Sequence, residues 1–178
     1  MKFKTFIRSL LIAVILLKIC ELAYSKNKEV PYLRNGISFS IAEGWKAIAN
    51  DSIGVNAYYF SAERTGDKAT GLITVTWANK IENPEKTITT YQQSMKSANI
   101  YRNPGIEFTG INSDTFAGQK VVSCRYTTVV RNQKLEGVIY CFNSFEKTIT
   151  IFFQTGLDDK KINEKAFELI RKTFNCRD

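Results

Sequence analysis

Cys124 and Cys141 bracket the stretch CRYTTVVRNQKLEGVIYC. Two thiols so placed could form a structural disulfide, pack as small buried hydrophobes, or exchange electrons as a redox pair. Residues on either side of RNQK alternate as two strands do, which predicts a two-residue turn at Asn132-Gln133 with Arg131 facing Lys134. Counting back along both strands puts Cys124 directly opposite Cys141, at a non-hydrogen-bonded position. Such pairs have Cα atoms about 4.5 Å apart, within the range of a disulfide. The spacing therefore predicts a cross-strand disulfide in an oxidising compartment, with two buried thiols as the alternative. A redox role fits less well, because a reactive thiol usually sits in a Cys-x-x-Cys helix start that lowers its pKa, and the sequence has none. Cys176, two residues from the end, is expected as a free thiol, a crosslink to a second chain being the other reading.

Other chemistry finds few candidates. The chain has no histidine, which removes the usual general base, the Ser-His-Asp triads and most zinc and haem sites. No Gly-rich phosphate loop, nucleophile elbow or Asp-rich calcium loop occurs. Ser94 and Lys96 lie two apart on a predicted helix and so point in different directions. Glu164 and Glu168 are one helical turn apart among lysines, the pattern of a solvated face. Glu107, Asp114 and Glu136 remain as carboxylates that an enzyme could use, and such a site would need a deep polar pocket around Glu107 or Asp114. The expectation is a protein that is not an enzyme and takes no cofactor. Trp45, Tyr58, Tyr59, Trp77 and Tyr101 are candidates to line a binding groove, since rings give large contact area at small entropic cost. The opposing reading is that alternation turns Tyr58 or Tyr59 inward and buries Trp77 among its apolar neighbours.

The elements that must position these residues follow from periodicity. In the hairpin, Val122, Cys124, Tyr126, Val130, Leu135 and Ile139 share one apolar face. A second turn at Glu146-Lys147 would set Phe142 opposite Ile151 and Tyr140 opposite Phe153, making the other face apolar too. A sheet apolar on both sides needs cover on both sides. One helix is announced by Asn83 as cap, Pro84 at the first position and Glu85 in the first turn, with Ile88, Tyr91, Met95 and Ala98 on one stripe, ending before the NPG at 103–105. A second begins near Asp158-Asp159 and should bury Ile162, Ala166, Leu169, Ile170 and Phe174. Shorter strands are expected at 37–41, 58–62, 72–78 and 106–112. Short connections make the sheet mainly antiparallel.

At 178 residues the chain suffices for one domain of ordinary size. Its first 25 residues read as an export signal: Lys2, Lys4 and Arg8 precede the apolar run LLIAVILL, which is short for a membrane span. Ala23 and Ser25 are the small residues a signal peptidase reads, so cleavage is expected between Ser25 and Lys26. Retention as an N-terminal membrane anchor is the alternative, and lipidation at Cys20 fits its bulky neighbours poorly. The expected organisation is a signal peptide over 1–25, a linker over 26–34 and a single domain over 35–178, exported to the periplasm or beyond. Removing the signal takes away four basic residues (Lys2, Lys4, Arg8, Lys18) and one acidic residue (Glu21), so the net charge falls from +8 to +5. That mild basic bias is no footprint for nucleic acid.

The segments NGISFSIAEGWKA (35–47), TFAGQKV (115–121) and FELIRKTF (167–174), in this order around the long hairpin, resemble the PsbP/Mog1-like superfamily, which includes the DcrB-like bacterial envelope proteins. The resemblance covers Asn35 to Phe174. It implies an α+β fold, an α/β/α sandwich with a central, mainly antiparallel sheet flanked by helices. It also implies a non-enzymatic role, since the better-known members are assembly factors for photosynthetic complexes, binders of a small GTPase or chaperones for secreted effectors. The functional expectation is an exported accessory domain of the bacterial envelope that binds a protein partner. The alternatives are a membrane-tethered structural protein that keeps its N-terminal segment, and an enzyme with an unrecognised carboxylate site.

Overall fold

Two tight turns organise the C-terminal half of the chain. In the computed structural model, which describes residues 29–102 and 105–177, Arg131 and Asn132 have φ of 50° and 63°, and Phe145 and Glu146 have φ of 44° and 58°. Two consecutive left-handed residues make the two-residue hairpin loop whose twist matches that of the strands. They separate β8 (Gln119–Val130), β9 (Gln133–Ser144) and β10 (Lys147–Gly156).

Both turns fall one residue earlier than the sequence suggests. Val130 faces Gln133, Cys124 faces Ile139 and Cys141 faces Val122. Phe142 faces Ile149, and Tyr140 faces Ile151. Moving a turn by one residue slides the pairing by two, so every side chain keeps its expected face while its partner changes. The cross-strand disulfide between Cys124 and Cys141 is thereby overturned: the two are diagonal neighbours, and both are buried thiols. Gln92 Nε2 donates to Cys124 Sγ at 2.9 Å, and the Thr150 hydroxyl to Cys141 Sγ at 3.7 Å. Burial pushes the Cys141 thiol pKa up, against weaker opposing hydrogen bonds. Alkylation in denaturant without reductant should therefore label both Cys124 and Cys141 by peptide mass mapping. Recovery of the two as a disulfide-linked peptide pair would refute this register.

The remaining strands are β1 (Val30–Arg34), β2 (Ile37–Ile41), β3 (Trp45–Ile53), β4 (Ala57–Arg64), β5 (Leu72–Ala78), β6 (Ile106–Phe108), β7 (Asn112–Phe116) and β11 (Asn175–Cys176). An eight-stranded sheet runs in the order β3-β4-β5-β10-β9-β8-β6, with β7 also on β8, and β1-β2-β11 form a small second sheet. Every pairing is antiparallel. The stretch over 30–34, expected as linker, is thus strand β1, held by Tyr32 in the core and by pairing to β2. The single strand expected over 106–112 divides into β6 and β7.

One face of the large sheet is covered by α1 (Pro84–Ser97), followed by the single turn α2 (Asn99–Arg102). Asn83 Oδ1 accepts from Lys86 N at 3.0 Å, capping α1 as expected, with Pro84 in the first turn. Ile88 and Met95 pack on Cys124, Tyr126, Ile139, Cys141 and Phe152. The opposite face is covered by α3 (Lys160–Thr173) together with the small sheet, over Phe60, Trp77, Tyr140, Phe142, Ile151 and Phe153. The sheet is therefore apolar on both sides and covered on both, an α/β/α sandwich whose second cover includes strands.

Asp159 ties α3 to the β4–β5 hairpin. Its carboxylate accepts from Thr70 N at 3.0 Å, from the Thr70 hydroxyl, and from the Arg64 guanidinium in an ion pair. Asn163, fully buried, donates to Asp159 Oδ1 at 3.0 Å and to Thr155 Oγ1 at 2.8 Å. These bonds set the rotation of α3. Asn163 and Phe167 point inward, and Ile162, expected in the core, is 56% exposed.

The signal segment, its cleavage point between Ser25 and Lys26, and Cys20 lie outside the described residues. Among the described residues no helix is long and apolar enough to cross a membrane.

Candidate docking surface

The five aromatics singled out as candidates to line a groove do not converge on one. Trp77 is fully buried, stacked on Tyr58 at 5.5 Å and edge-on to Tyr32 at 6.4 Å. It is a core residue, because its strand β5 is central and covered on that side. Trp45 is half-buried and edge-on to Phe167 at 5.9 Å, under α3. Tyr59 and Tyr101 lie across the sheet, beside Tyr91 of α1, where burial raises the hydroxyl pKa of Tyr91 and Tyr101. With three rings on one side of the sheet and two on the other, they cannot line one groove.

The carboxylates separate by role. Asp114 accepts from Ser123 Oγ at 2.8 Å and Thr115 N at 2.7 Å, fixing β7 to β8. Glu136 is paired with Lys160 Nζ at 2.5 Å. Glu164 and Glu168 both reach Arg171 Nη1, at 3.5 and 2.7 Å. Ser94 Oγ donates to Thr90 O at 3.0 Å, and Lys96 Nζ lies 5.7 Å above the Phe108 ring. Neither Glu107 nor Asp114 makes an ion pair among the described residues, and Glu107 borders a cavity of about 340 Å³. Cys176 is buried in β11, with Sγ 3.6 Å from Ser144 O.

What the sequence did not show is the strand at the sheet's other edge. WKAIANDSI carries no clean alternation, yet it forms the nine-residue strand β3, entered from the turn at Gly44, with φ of 78°, and folded back onto β4 by the turn at Gly54, with φ of 71°. A bulge falls between Ala47 and Ala49. No strand pairs with the outer edge of β3 among the described residues. One point on that edge is occupied: Arg34 Nη1 donates to Asn50 O at 2.9 Å and to its Oδ1 at 2.8 Å, and Arg34 Nη2 to Ser52 Oγ at 3.0 Å. Ile48 and Ile53 along it are exposed. The repeated small aliphatics after a glycine turn are the one local sign of this strand.

The edge of β3 runs into an apolar end of the molecule. Val55, in the β3–β4 turn, is 92% exposed. Asn79 N donates to Asn56 O at 2.8 Å, which brings the end of β5 alongside, and Ile81 just beyond is 59% exposed. Ala78 faces Thr148 at the start of β10, whose hairpin turn carries Phe145, 54% exposed. Ile53, Val55, Ile81 and Phe145 thus share one end of a sheet whose strands are about 4.8 Å apart. Aliphatic and aromatic side chains left in water at one end of a sheet make that end a candidate for contact with a partner. An unpaired edge beside it offers backbone donors and acceptors to an extended segment.

No family model matches this chain, and no curated protein matches it. Among solved structures it is similar to the cyanobacterial PsbP protein (CyanoP) of Synechocystis sp. PCC 6803, with a TM-score of 0.59 and 12% identity over 84% of this chain and 92% of that one. It is also similar to LpqN of Mycobacterium tuberculosis, with a TM-score of 0.54 and 11% identity over 88% of this chain and 94% of that one. At such identity the likeness is one of fold. The chain has the PsbP-like fold that its sequence resembles.

Proposed function

We propose that the protein is an exported accessory domain that acts by docking a protein partner on the outer edge of β3 and the apolar end it runs into, without turning over a substrate. The observation that carries this reading is the shared exposure of Ile53, Val55, Ile81 and Phe145 beside an unpaired strand edge. The basic, apolar, polar order of the first 25 residues supports export. LpqN is described as involved in cell envelope biogenesis, which supports an envelope setting. Asp114 and Glu136, carboxylates that an enzyme could have used, are engaged in holding β7 and α3.

The entry point of the chain bears on the tethered alternative. Val30 faces Ile41 in the small sheet, and Ile41 leads into the turn before Trp45, at the end of the sheet opposite Phe145. A retained N-terminal segment would therefore enter the domain away from the apolar end and leave that end facing outward. Mass measurement of the purified protein decides between Lys26 as first residue and an intact Met1.

The docking reading is tested by placing a photo-crosslinking residue at position 55 and, as control, at position 131 at the opposite end. In the native envelope, position 55 should give a discrete adduct that position 131 does not. The double substitution Ile53→Asp with Ile81→Asp should abolish that adduct while leaving thermal melting within about 2 °C, as exposed sites allow. Equal adducts from both ends, or an adduct that survives the double substitution in a folded protein, overturns the reading.

A further inference from the structure

Arg34, the last residue of β1, lays its guanidinium on the outer edge of β3, and its place there is fixed from two directions. Nη1 donates to Asn50 O at 2.9 Å and to Asn50 Oδ1 at 2.8 Å, and Nη2 donates to Ser52 Oγ at 3.0 Å. Its Cζ lies 5.2 Å over the Tyr58 ring, which is itself stacked on the buried Trp77. All of these partners are neutral. Arg34 makes no ion pair among the described residues. The one carboxylate on β3, Asp51, faces Tyr59, whereas Asn50 and Ser52 face Phe60 and Tyr58. Alternation along the strand therefore turns Asp51 to the other side of the sheet, away from the guanidinium.

A guanidinium has five N–H donors in a rigid fork. Three are engaged here, which leaves the Nε–H and one N–H of Nη2. A carboxylate takes such a pair through two parallel hydrogen bonds. The bond to Asn50 O also occupies a backbone acceptor that an added strand would need. Over 50–52 the edge thus offers a pinned cation in place of a free ladder. Ile53 follows Ser52 directly, and both it and Val55 are exposed, so the cation and the start of the apolar end are contiguous.

We propose that the docking surface selects its partner by a carboxylate: the partner presents an aspartate or glutamate to Arg34, beside an aliphatic side chain that covers Ile53 and Val55. The proposal rests on the docking reading for its place and adds the chemistry of the partner. A guanidinium without a counter-ion favours an anionic group, and one already pinned gives up little side-chain freedom on binding. Two copies of this edge paired about Asn50 would bring guanidinium against guanidinium, which selects against a second copy of the chain as the occupant.

The test is a titration of isotope-labelled protein with acetyl-Ile-Asp-Ile-amide and its neutral counterpart acetyl-Ile-Asn-Ile-amide, followed at the Arg34 Nε–H and at the amides of Ser52 and Ile53. The aspartyl peptide should give saturable shifts and bind at least about tenfold more tightly than the asparaginyl one, the difference expected for one charge-assisted contact. Arg34→Gln should bring the two peptides to equal affinity, and Arg34→Lys, which keeps the charge without the fork, should recover only part of the preference. Ile53→Ser should weaken both peptides alike. Equal binding of the two peptides to the parent, an aspartyl preference that survives Arg34→Gln in a protein folded by the same spectra, or no saturable shift with the aspartyl peptide overturns the proposal. The docking reading fails by a different result, the lack of a discrete adduct at position 55, so the two failures are told apart.

Discussion

Gly137→Ala is expected to destabilise the protein by about 3 kcal/mol, at the upper end of the usual cost of overpacking, and to lower the melting temperature by about 6–12 °C for a chain of this length. Gly137 sits in the middle of β9, between Tyr126 of β8 and Gln154 of β10. A Cβ there would lie 2.3 Å from the Phe153 carbonyl oxygen and 2.4 Å from the Tyr126 ring. The first is backbone in a central strand and cannot move without breaking the ladder. The second is a ring laid across the glycine, stacked on Phe152 at 5.5 Å and donating its hydroxyl to Gln154 Oε1 at 2.9 Å. Relieving the clash means dislodging that ring from both partners. Gly110→Ala, where a Cβ meets nothing within 4 Å, is the control and should change stability by less than about 0.5 kcal/mol. Equal melting temperatures for the two variants would show that the Tyr126 ring does not lie where it is placed here.

Asp159→Ala is expected to cost about 3 kcal/mol, the lower end of the range for removing one partner of a buried ion pair, since Arg64 and Asp159 keep some contact with water. The substitution leaves the Arg64 guanidinium, the Thr70 N–H and the Asn163 amide without their common acceptor. Burial by itself would raise the Asp159 pKa. The Thr70 hydroxyl, Arg64 and the Thr70 backbone N–H outweigh it and hold the carboxyl below its ordinary value. A carboxyl lowered on folding stabilises the native state fully above its unfolded pKa of about 3.9, and that contribution is lost as pH falls through the folded pKa. Chemical denaturation between about pH 5 and pH 2 should therefore be less steeply pH-dependent in Asp159→Ala than in the parent. Parallel pH profiles would mean that the carboxylate is not the acceptor at the foot of α3.

Local signals carried the parts of the fold that are locally caused. Asn83, Pro84 and Glu85 announce α1 because a cap satisfies N–H groups only two or three residues away. β5 was legible at both ends because Ile73, Val75 and Trp77 alternate with the β-branched Thr74 and Thr76, and the two-faced apolarity of β8, β9 and β10 gave the layered architecture. The register of the hairpins was hidden because Arg131, Phe145 and Glu146, residues with no preference for positive φ, occupy the turns. Tertiary bonds from Asn163 to Thr155 and Asp159 override the hydrophobic stripe that would have placed Ile162 inside. β3 escaped notice because an edge strand shows most of its residues to water and so has little reason to alternate. Of the residues lining the cavity beside β6, Glu107 was among those singled out. Its convergence with Arg125, Lys160 and Phe167 depends on pairing among β6, β8 and β9 and the docking of α3, which no spacing along the chain encodes.

The order in which the chain closes its sheets bears on how it can be made. β5 waits for β10, almost seventy residues downstream, and β2 is completed by β11 at 175–176. A polypeptide delivered N-terminus first, through a ribosome tunnel or a translocation pore, thus exposes the raw inner edge of β5 until nearly its whole length has emerged. Maturation is then a late, all-at-once event, and an interval of vulnerability to aggregation is built into the topology itself.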